Sequence, residues 1–370
     1  MPNDKLPIVM RLRPLRRFRS VLSLLMAGLL TILLSEQAVS ASASGDRIWQ
    51  AFKSRYVRHD GRVIDSGNAE ISHSESQGFG MLFAEYFGDR ETFDRMRLWV
   101  EEGLRWNGTS LHAWKWTRDP RMPVPDPNNA TDGDLLIGWA LARAAQRWDE
   151  PGYAAAARRI AADVRSLLTT RDAAGRLVLL PAFQGFDHGA AVTLNLSYYV
   201  FPALRAFQRI DPSPVWEELI EEGLELVDVS AFGRWGLPPD WLAVPVDGTP
   251  RPAVKWPARF GFDAVRIPLY ILWAGLDSNE RLGRFAEFWL KQQQQGVPAW
   301  VGLEDDRQSP YRAGTGAQLV AALVLDQAGL PASVPAHATA IAEDYYSASL
   351  ALMALIAKEE TGPSASGRSR

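Results

Sequence analysis

Cysteine is missing from this sequence of 370 residues, and histidine occurs only five times. Without cysteine the chain has neither a disulfide nor a catalytic thiolate. The histidines are scattered, and none forms an H-E-x-x-H zinc motif: His59, His73, His112, His188 and His337. The G-x-S-x-G turn of serine hydrolases and the phosphate-binding P-loop are absent as well. Carboxylates therefore remain as candidate catalytic groups, and we expect no metal and no organic cofactor.

An excess of basic residues is also lacking, since the chain has 40 Lys and Arg against 43 Asp and Glu. Residues 1–43 hold six of the basic and two of the acidic side chains, so the remainder carries 34 against 41. Because phosphate contacts need a basic face, this excess of acidic over basic residues argues against a nucleic-acid partner. All fourteen tryptophans lie after residue 43. Sugar rings stack on exposed aromatic rings, so this surplus weakly favours a carbohydrate ligand.

The N-terminus has the three-part layout of a secretory signal peptide. Basic residues between positions 5 and 19 precede an apolar run at 21–34, and small residues follow at 38–44. The run is shorter than the roughly 20 apolar residues of a membrane span, although an uncleaved anchor is the alternative. We expect residues 1–43 to be removed by cleavage near 41–44, with no membrane insertion afterwards and a periplasmic or secreted product.

Helical periodicity dominates the rest of the chain. Ten amphipathic segments lie at 77–87, 90–105, 134–148, 151–168, 197–209, 214–227, 264–275, 278–292, 315–328 and 337–358. Short links join them in pairs, and longer polar loops separate the pairs. Strand signals are few: a hairpin at 56–65 and a short run at 177–181. The pattern predicts an all-α toroid of helix hairpins whose loops form a cleft. An irregular helical domain or a solenoid is the alternative, but no fixed repeat supports a solenoid.

The first of three acidic positions is Glu75, in the stretch SHSESQGFGMLF at 72–83. Ser74 and Gln77 have the spacing of a capping box, which predicts that a helix begins there. An acid in a first turn ordinarily serves only to complement the helix dipole. Because that dipole lowers the pKa of a carboxyl, Glu75 could act as a general acid only if burial outweighed it.

The second position lies in the stretch ATDGDLLIGWALARAAQRW at 130–148, where two aspartates flank a glycine. Thr131 or Asp132 could simply cap the helix that follows. The alternative is that Asp132 and Asp134 stand at the mouth of a cleft, at the start of a strongly apolar helix.

The third position is Asp263, in the stretch RFGFDAVRIPLY at 259–270. Asp263 could cap the next helix and form an i,i+3 ion pair with Arg266, which is worth a few tenths of a kcal/mol. Each acid alone is weak evidence for a site. Three acids at three helix starts, however, suit the paired carboxylates of glycoside hydrolysis.

These residues belong to stretches that resemble glycoside hydrolase family 8, and most closely its branch of endoglucanases associated with bacterial cellulose synthesis. The stretches are SESQGFGM (74–81), LHAWKW (111–116), ATDGDLLIGWALARAAQRW (130–148), NLSYYVFPAL (195–204), GLPPDW (236–241), RFGFDAVRIPLY (259–270) and YYSASLALMAL (345–355). The TDGD stretch is specific rather than generic. One departure is Gly138, where the family usually has alanine.

The resemblance implies an (α/α)6 barrel spanning residues 44–360 as a single domain, followed by a disordered tail at 361–370. It also implies inverting hydrolysis of β-1,4-glucosidic bonds without a cofactor. Glu75 matches the general acid, Asp263 the general base and Asp132 the aspartate that holds the sugar. Further residues match substrate-binding positions, less firmly: Trp114, Trp116, Tyr198, Arg266 and Tyr346. Asp134 stays open between a site residue and a cap.

Two other functions stay open at this point. A chitosanase or a xylo-oligosaccharide hydrolase would share the family, and chitosan is a cationic substrate that an acidic chain could bind. A non-catalytic periplasmic glucan-binding factor would belong to a different class. The expected partner is a β-1,4-glucan chain, and direct contact with a cellulose synthase complex remains open.

Overall fold

Helices make up most of the structure, a computed structural model that describes residues 45–105 and 108–362. The described part contains twelve α-helices and a short 3-10 helix at Leu196–Tyr198. The α-helices are α1 (45–56), α2 (Ser74–Tyr86), α3 (Arg90–Gly103), α4 (Thr131–Trp148), α5 (Pro151–Leu167), α6 (Phe201–Ile210), α7 (Pro214–Val229), α8 (Arg266–Trp273), α9 (Asn279–Gln292), α10 (Thr315–Gln327), α11 (His337–Glu343) and α12 (Tyr345–Thr361). Within the same ranges, no helix is long and apolar enough to cross a membrane. The predicted signal peptide and residues 363–370 of the predicted tail lie outside the described residues.

Short antiparallel strands occupy the loops between helix pairs. They are β1 (Ser72–His73), β2 (Lys115–Trp116), β3 (Thr169–Arg171), β4 (Leu177–Leu179), β5 (Ala191–Leu194), β6 (Leu242–Pro245), β7 (Arg251–Pro252), β8 (Arg259–Phe260) and β9 (Val301–Gly302). Strand β1 pairs with β2, β3 with β4 and β8 with β9, while β5, β6 and β7 form one three-stranded sheet. These small sheets brace the loops rather than form a core.

The even-numbered helices form a closed inner ring. Helix α2 contacts α4, and the contacts continue through α6, α8, α10 and α12 back to α2. Each of α3, α5, α7, α9 and α11 packs on the outside of a ring member. Helix α1 completes the outer layer, because the ring of Phe52 lies 5.3 Å from Phe83 of α2 and 6.4 Å from Tyr345 of α12. The fold is an (α/α)6 barrel, as predicted.

The inner and outer helices differ in how many of their side chains are buried, and the difference follows from their sequences. Every residue of α8 is buried, whereas α3 buries only one stripe of side chains. A helix that is apolar all round must be covered on all sides, and an amphipathic helix covers it with one face. Arg266 is the single charged residue of α8 and is only 3% exposed. A buried charge of this kind needs partners, and they lie at the same end of the barrel.

The inner helices end together at the opposite side of the barrel. Arg143 of α4 donates to Glu85 at the end of α2 over 2.5 Å and to Glu360 of α12 over 2.7 Å. The indole of Trp273, the last residue of α8, donates to the same Glu360 over 2.7 Å. Four inner helices thus share one direction, and their N-termini converge at the other end. The positive ends of their dipoles point there.

The structure differs from the predicted secondary structure at three places. Helix α1 was not predicted, and its last turn includes Tyr56, where a strand was expected. The predicted hairpin at 56–65 forms only as a short antiparallel pairing between Val57 and Val63, without regular strands. The predicted helix at 337–358 is divided at Asp344, whose extended backbone ends α11 and whose carboxylate accepts from Ser347 N to cap α12.

Gly138 lies where α4 meets its neighbours. A β-carbon on Gly138 would lie 2.5 Å from Cζ of Phe207 in α6 and 3.2 Å from Ile160 in α5. The aromatic ring therefore fills the space that an alanine methyl group would need. This packing explains the departure from alanine at the position.

We expect Gly138→Ala to lower the free energy of unfolding by about 1–3 kcal/mol, because overpacking outweighs the better helix propensity of alanine. Gly283 is the matched control, since a β-carbon there meets nothing within 4 Å in the described part of the chain. Gly283→Ala should stabilise by up to about 1 kcal/mol. Urea unfolding of both variants measures the difference. Equal stabilisation by the two alanines would contradict this packing.

Candidate active site

Glu75 lies in the first turn of α2, and the residue that caps this helix is His73. The Nδ1 atom of His73 accepts from Ser76 N over 3.0 Å, and the Ser76 hydroxyl accepts from His73 N over 3.0 Å. The predicted capping box on Ser74 and Gln77 is therefore wrong, and Gln77 is fully buried instead. The Glu75 side chain is 17% exposed, and its Oε2 atom lies 3.7 Å from Nδ1 of His73.

Asp132 lies in the first turn of α4, directly beside α2. The helix follows Ala130 with no side-chain cap, so the predicted capping by Thr131 or Asp132 is wrong. The Asp132 carboxylate accepts from Gly133 N over 2.8 Å. A β-carbon on Gly133 would lie 2.1 Å from the hydroxyl oxygen of Ser74. The glycine between the two aspartates is thus what lets the first turns of α2 and α4 touch.

Arg266 begins α8 and connects the acidic side chains. Its guanidinium donates through Nη1 to Glu75, and through Nη2 to Asp263 Oδ1 over 2.8 Å. Nη1 also lies 3.8 Å from Asp132 Oδ2, and Nη2 donates to the Ser197 hydroxyl over 3.1 Å. One buried guanidinium therefore holds carboxylates from three separate parts of the chain in a single cluster.

The electrostatic balance of this cluster favours bound protons. Burial raises the pKa of Asp132 to about 7, against the ordinary 3.8. The Asp263 side chain is 30% exposed, yet surrounding protein atoms desolvate its carboxyl and raise its pKa well above 3.8, with Asp240 and Asp132 adding to the effect. Three carboxyl groups face one guanidinium, so full ionisation would leave uncompensated negative charge in a partly dry site. Among the described residues, no group of His, Cys, Asp or Glu side chains is arranged to hold a metal ion.

The cluster opens into a cavity of about 370 Å³, within the usual size range of ligand pockets. Its lining consists of Asn68, His73, Ser74, Glu75, Trp114, Ala130, Asp132, Tyr198, Phe262, Asp263, Arg266 and Tyr346. The structure thus brings together seven of the nine residues singled out from the sequence. Trp116 and Asp134 do not line the cavity.

Asp134 and Trp116 instead make contacts within the protein, away from the cavity. The Asp134 carboxylate is fully buried and accepts from the backbone and ring of His112 and from the Asn129 amide over 2.8–2.9 Å. It therefore neither caps α4 nor faces the cavity, but ties down both ends of the loop that carries Trp114. The ring of Trp116 packs against the ring of Trp99 at 5.7 Å, and the guanidinium of Arg62 lies over its face.

Aromatic rings extend from one side of the cavity. Tyr198 contacts the ring of Trp241 at 6.0 Å. Trp241 itself is stacked between Phe186 at 5.6 Å and Trp256 at 4.5 Å. The Trp114 indole, which also lines the cavity, donates to Asp126 over 2.8 Å. Apolar ring faces beside carboxylates suit a carbohydrate, which has C–H faces as well as hydroxyl groups.

Sequence reasoning missed several residues that the structure brings to the site. Asn68, His73 and Phe262 line the cavity, Ser197 binds Arg266, and Asp240 lies directly behind Asp263. The histidine stood in the quoted stretch before Glu75, but its scattered position gave no reason to select it. The aspartate stood in GLPPDW, where no period or motif separates a buried acid from a turn residue.

A helical toroid that brings three carboxyl groups to one open cavity, bordered by aromatic rings, is typical of a glycoside hydrolase. The chain belongs to glycosyl hydrolases family 8, whose family model matches residues 22–360.

Relatives with known sequences and structures cover most of the chain. A probable endoglucanase of Novacetimonas hansenii is 43% identical over 314 residues, which is 84% of this chain and 90% of that protein. An endoglucanase of Cellulomonas uda is 38% identical over 280 residues, 75% of this chain and 77% of that one. The solved endo-β-1,4-glucanase CMCax of Acetobacter xylinum is 40% identical with a TM-score of 0.82, covering 86% of this chain and 99% of its own.

The raised pKa of Asp132 predicts how the stability of the folded protein changes with pH. Its folded pKa of about 7 lies above the ordinary 3.8, so the folded protein keeps a proton that the unfolded chain releases. This contribution to stability is fully present below pH 3.8 and is lost as pH rises through 7. Relative to Asp132→Asn, the wild type should lose about 2–4 kcal/mol of unfolding free energy between pH 4 and 8. Urea unfolding of both proteins across this range tests it, and a constant difference would contradict it.

Proposed function

We propose that this chain is a secreted endo-β-1,4-glucanase that cleaves internal glucosidic bonds with inversion of configuration. The observation that supports it best is that Glu75 and Asp263, from separate helix starts, face one open cavity and contact the same guanidinium. The family membership and the endoglucanase names of the relatives support the substrate class. Glu75 is the general acid and Asp263 the general base.

The reaction needs both groups at once, on opposite faces of the sugar. Asp263 takes a proton from water as the water oxygen attacks the anomeric carbon. The bond from that carbon to the glycosidic oxygen breaks, and Glu75 gives its proton to the leaving oxygen. Inversion needs about 6.5–9.5 Å between the two carboxyl groups, so that a water molecule fits beside the sugar. The bridging guanidinium supports this reading because it separates two groups that could otherwise touch.

As the general acid, Glu75 must hold a proton in the complex with substrate. Substrate binding favours the protonated acid. A glucan chain filling the cavity would displace water from the carboxyl group, and a dry site disfavours its charged form. We therefore expect Glu75 to gain its proton when the cavity fills.

The remaining cavity residues orient the substrate. Asp132 lines the same cavity, 3.8 Å from the Arg266 guanidinium, and accepts hydrogen bonds from hydroxyl groups of the sugar at the cleavage point. Tyr198, Trp114 and Tyr346 add aromatic rings to the lining. A chain that enters along these rings lies across both carboxylates, which suits cleavage at internal bonds.

The wider setting follows from the N-terminus and the relatives. We propose export through cleavage near residues 41–44, and action on newly made β-1,4-glucan during bacterial cellulose synthesis. Expression in a Gram-negative host should yield a periplasmic or secreted chain whose first residue lies between 41 and 44. Intact-mass measurement of the exported protein tests this. A membrane-bound chain that keeps its N-terminus would contradict it and favour an uncleaved anchor.

The acid and base roles predict large and separate losses of activity. Glu75→Gln and Asp263→Asn should each lower kcat on cellohexaose by about 10³-fold or more while KM changes little, because general acid and base groups act mainly on the transition state. Glu85→Gln is the matched control, since Glu85 belongs to the same helix but lies at the opposite end of the barrel. It should reduce stability and leave kcat within about threefold of wild type. Near-wild-type rates for Glu75→Gln would contradict the acid role.

A substrate panel separates the alternatives. Wild type should cleave cellohexaose and leave chitosan and xylan oligomers largely intact. Cleavage of either of the latter in preference to cellohexaose would overturn the glucanase assignment and keep the hydrolase. Tight binding of cellohexaose without any cleavage would favour the glucan-binding factor.

A further inference from the structure

Asp240 is a buried acid that the reaction described above does not use. It is 4% exposed and lies in the segment before β6, behind the turn that carries Asp263. Its Oδ1 atom accepts three backbone N–H groups, from Gly261 over 3.0 Å, Asp263 over 3.1 Å and Ala264 over 3.0 Å. Its Oδ2 atom accepts from Arg259 Nε over 3.0 Å.

These four contacts determine the shape of the turn. A single oxygen gathers N–H groups from three of four consecutive residues, so the backbone from 261 to 264 must curl around it. The middle of that curl is Asp263, which is thereby directed into the cavity toward Arg266. The anchor comes from a different part of the chain, about twenty residues earlier, so no local preference of the turn itself is required.

We infer that Asp240 is a positioning residue for the general base: it holds the turn that presents Asp263, and its fixed negative charge makes Asp263 a stronger base. The inference rests on the proposed function, because it assumes that Asp263 removes a proton from water. It adds a second carboxylate, outside the cavity, to the machinery of the same site.

The charge on Asp240 follows from its partners. All four contacts are donors, three N–H groups and a guanidinium, so a carboxylic proton would find no acceptor among them. Burial raises the pKa of Asp240, while the same donors favour its ionised form. An ionised neighbour in turn disfavours ionisation of Asp263, and this repulsion is a cause of the raised pKa of Asp263, second only to burial.

Other charged groups also face Asp263 and act on its pKa. Asp132 raises it, and Arg259 lowers it. Arg266 contacts Asp263 directly over 2.8 Å. The phenols of Tyr198 and Tyr346 line the same cavity, and their own pKa values are raised by burial and by the charge on Asp263. All of these groups are unchanged in a variant at Asp240, so the difference between the two proteins isolates one charge.

The decisive variant is Asp240→Asn. The asparagine oxygen can still accept the three backbone N–H groups, so the turn persists while the charge is lost. The base must be ionised, so activity is lost as pH falls through its pKa. The acidic limb of the kcat/KM profile on cellohexaose should therefore move to lower pH by about half a unit or more. At the optimum kcat should fall several-fold with KM nearly unchanged, because Asp263 has become a weaker base.

Asp172 provides a matched control. It is 6% exposed, accepts backbone N–H groups from Ala174 and Arg176, and pairs with the Arg176 guanidinium over 2.8 Å, but it lies outside the cavity. Asp172→Asn should lower the unfolding midpoint as Asp240→Asn does and leave the pH profile unmoved. An acidic limb that stays in place in Asp240→Asn, or moves equally in Asp172→Asn, would overturn the inference.

A second readout does not depend on hydrolysis. Carbon-13 NMR of labelled aspartate, assigned with Asp263→Asn, gives the titration of the Asp263 carboxyl in the protein without substrate. Its midpoint should fall in Asp240→Asn and stay unchanged in Asp172→Asn. An unchanged midpoint in Asp240→Asn would overturn the electrostatic role even if wild type is an active glucanase. A fallen midpoint in a protein that cleaves no glucan would leave Asp240 acting on Asp263 and place the failure in the proposed function.

Discussion

A single guanidinium organises the candidate active site. Arg266 is buried at the start of α8 and donates to both Glu75 and Asp263. A buried cation without partners would be costly, so these carboxylates stabilise it as much as it orients them. The cluster holds one positive charge against three acids, counting Asp132, and burial raises the pKa values of the two aspartates, with neighbouring carboxylates adding to the effect. Hydrolysis also needs a proton on Glu75, which we expect this side chain to gain when substrate fills the cavity.

The barrel makes this cluster possible because its inner helices begin at one end. The first turns of α2 and α4 touch through Gly133, which brings Glu75 beside Asp132. The opposite ends of the same helices are joined by Arg143 and its partners. Loops with short strands then close over the helix starts and supply the aromatic rim.

The sequence was sufficient for the fold and for most of the cavity lining, because long apolar periods and the family stretches cover nearly the whole chain. Prediction from the sequence failed where a contact between residues far apart in the chain determines the local structure. Periodicity continues through Asp344, yet a cap divides the helix there. In the sequence Asp134 looks equivalent to Asp132, two residues earlier. In the structure, however, the Asp134 carboxylate binds a loop, whereas Asp132 lines the cavity. The anchoring role of Asp240 depends on backbone groups twenty residues away and has no local signature.

The central claim is that two carboxylates act on opposite faces of one sugar, with water between the base and the anomeric carbon. Proton NMR of cellohexaose during the first minutes of cleavage tests it most directly, because the new reducing end keeps the configuration that the enzyme produces before mutarotation. We expect the α-anomer to appear first. An initial β-anomer would mean retention through a covalent intermediate, and would contradict the role of Asp263 as a base.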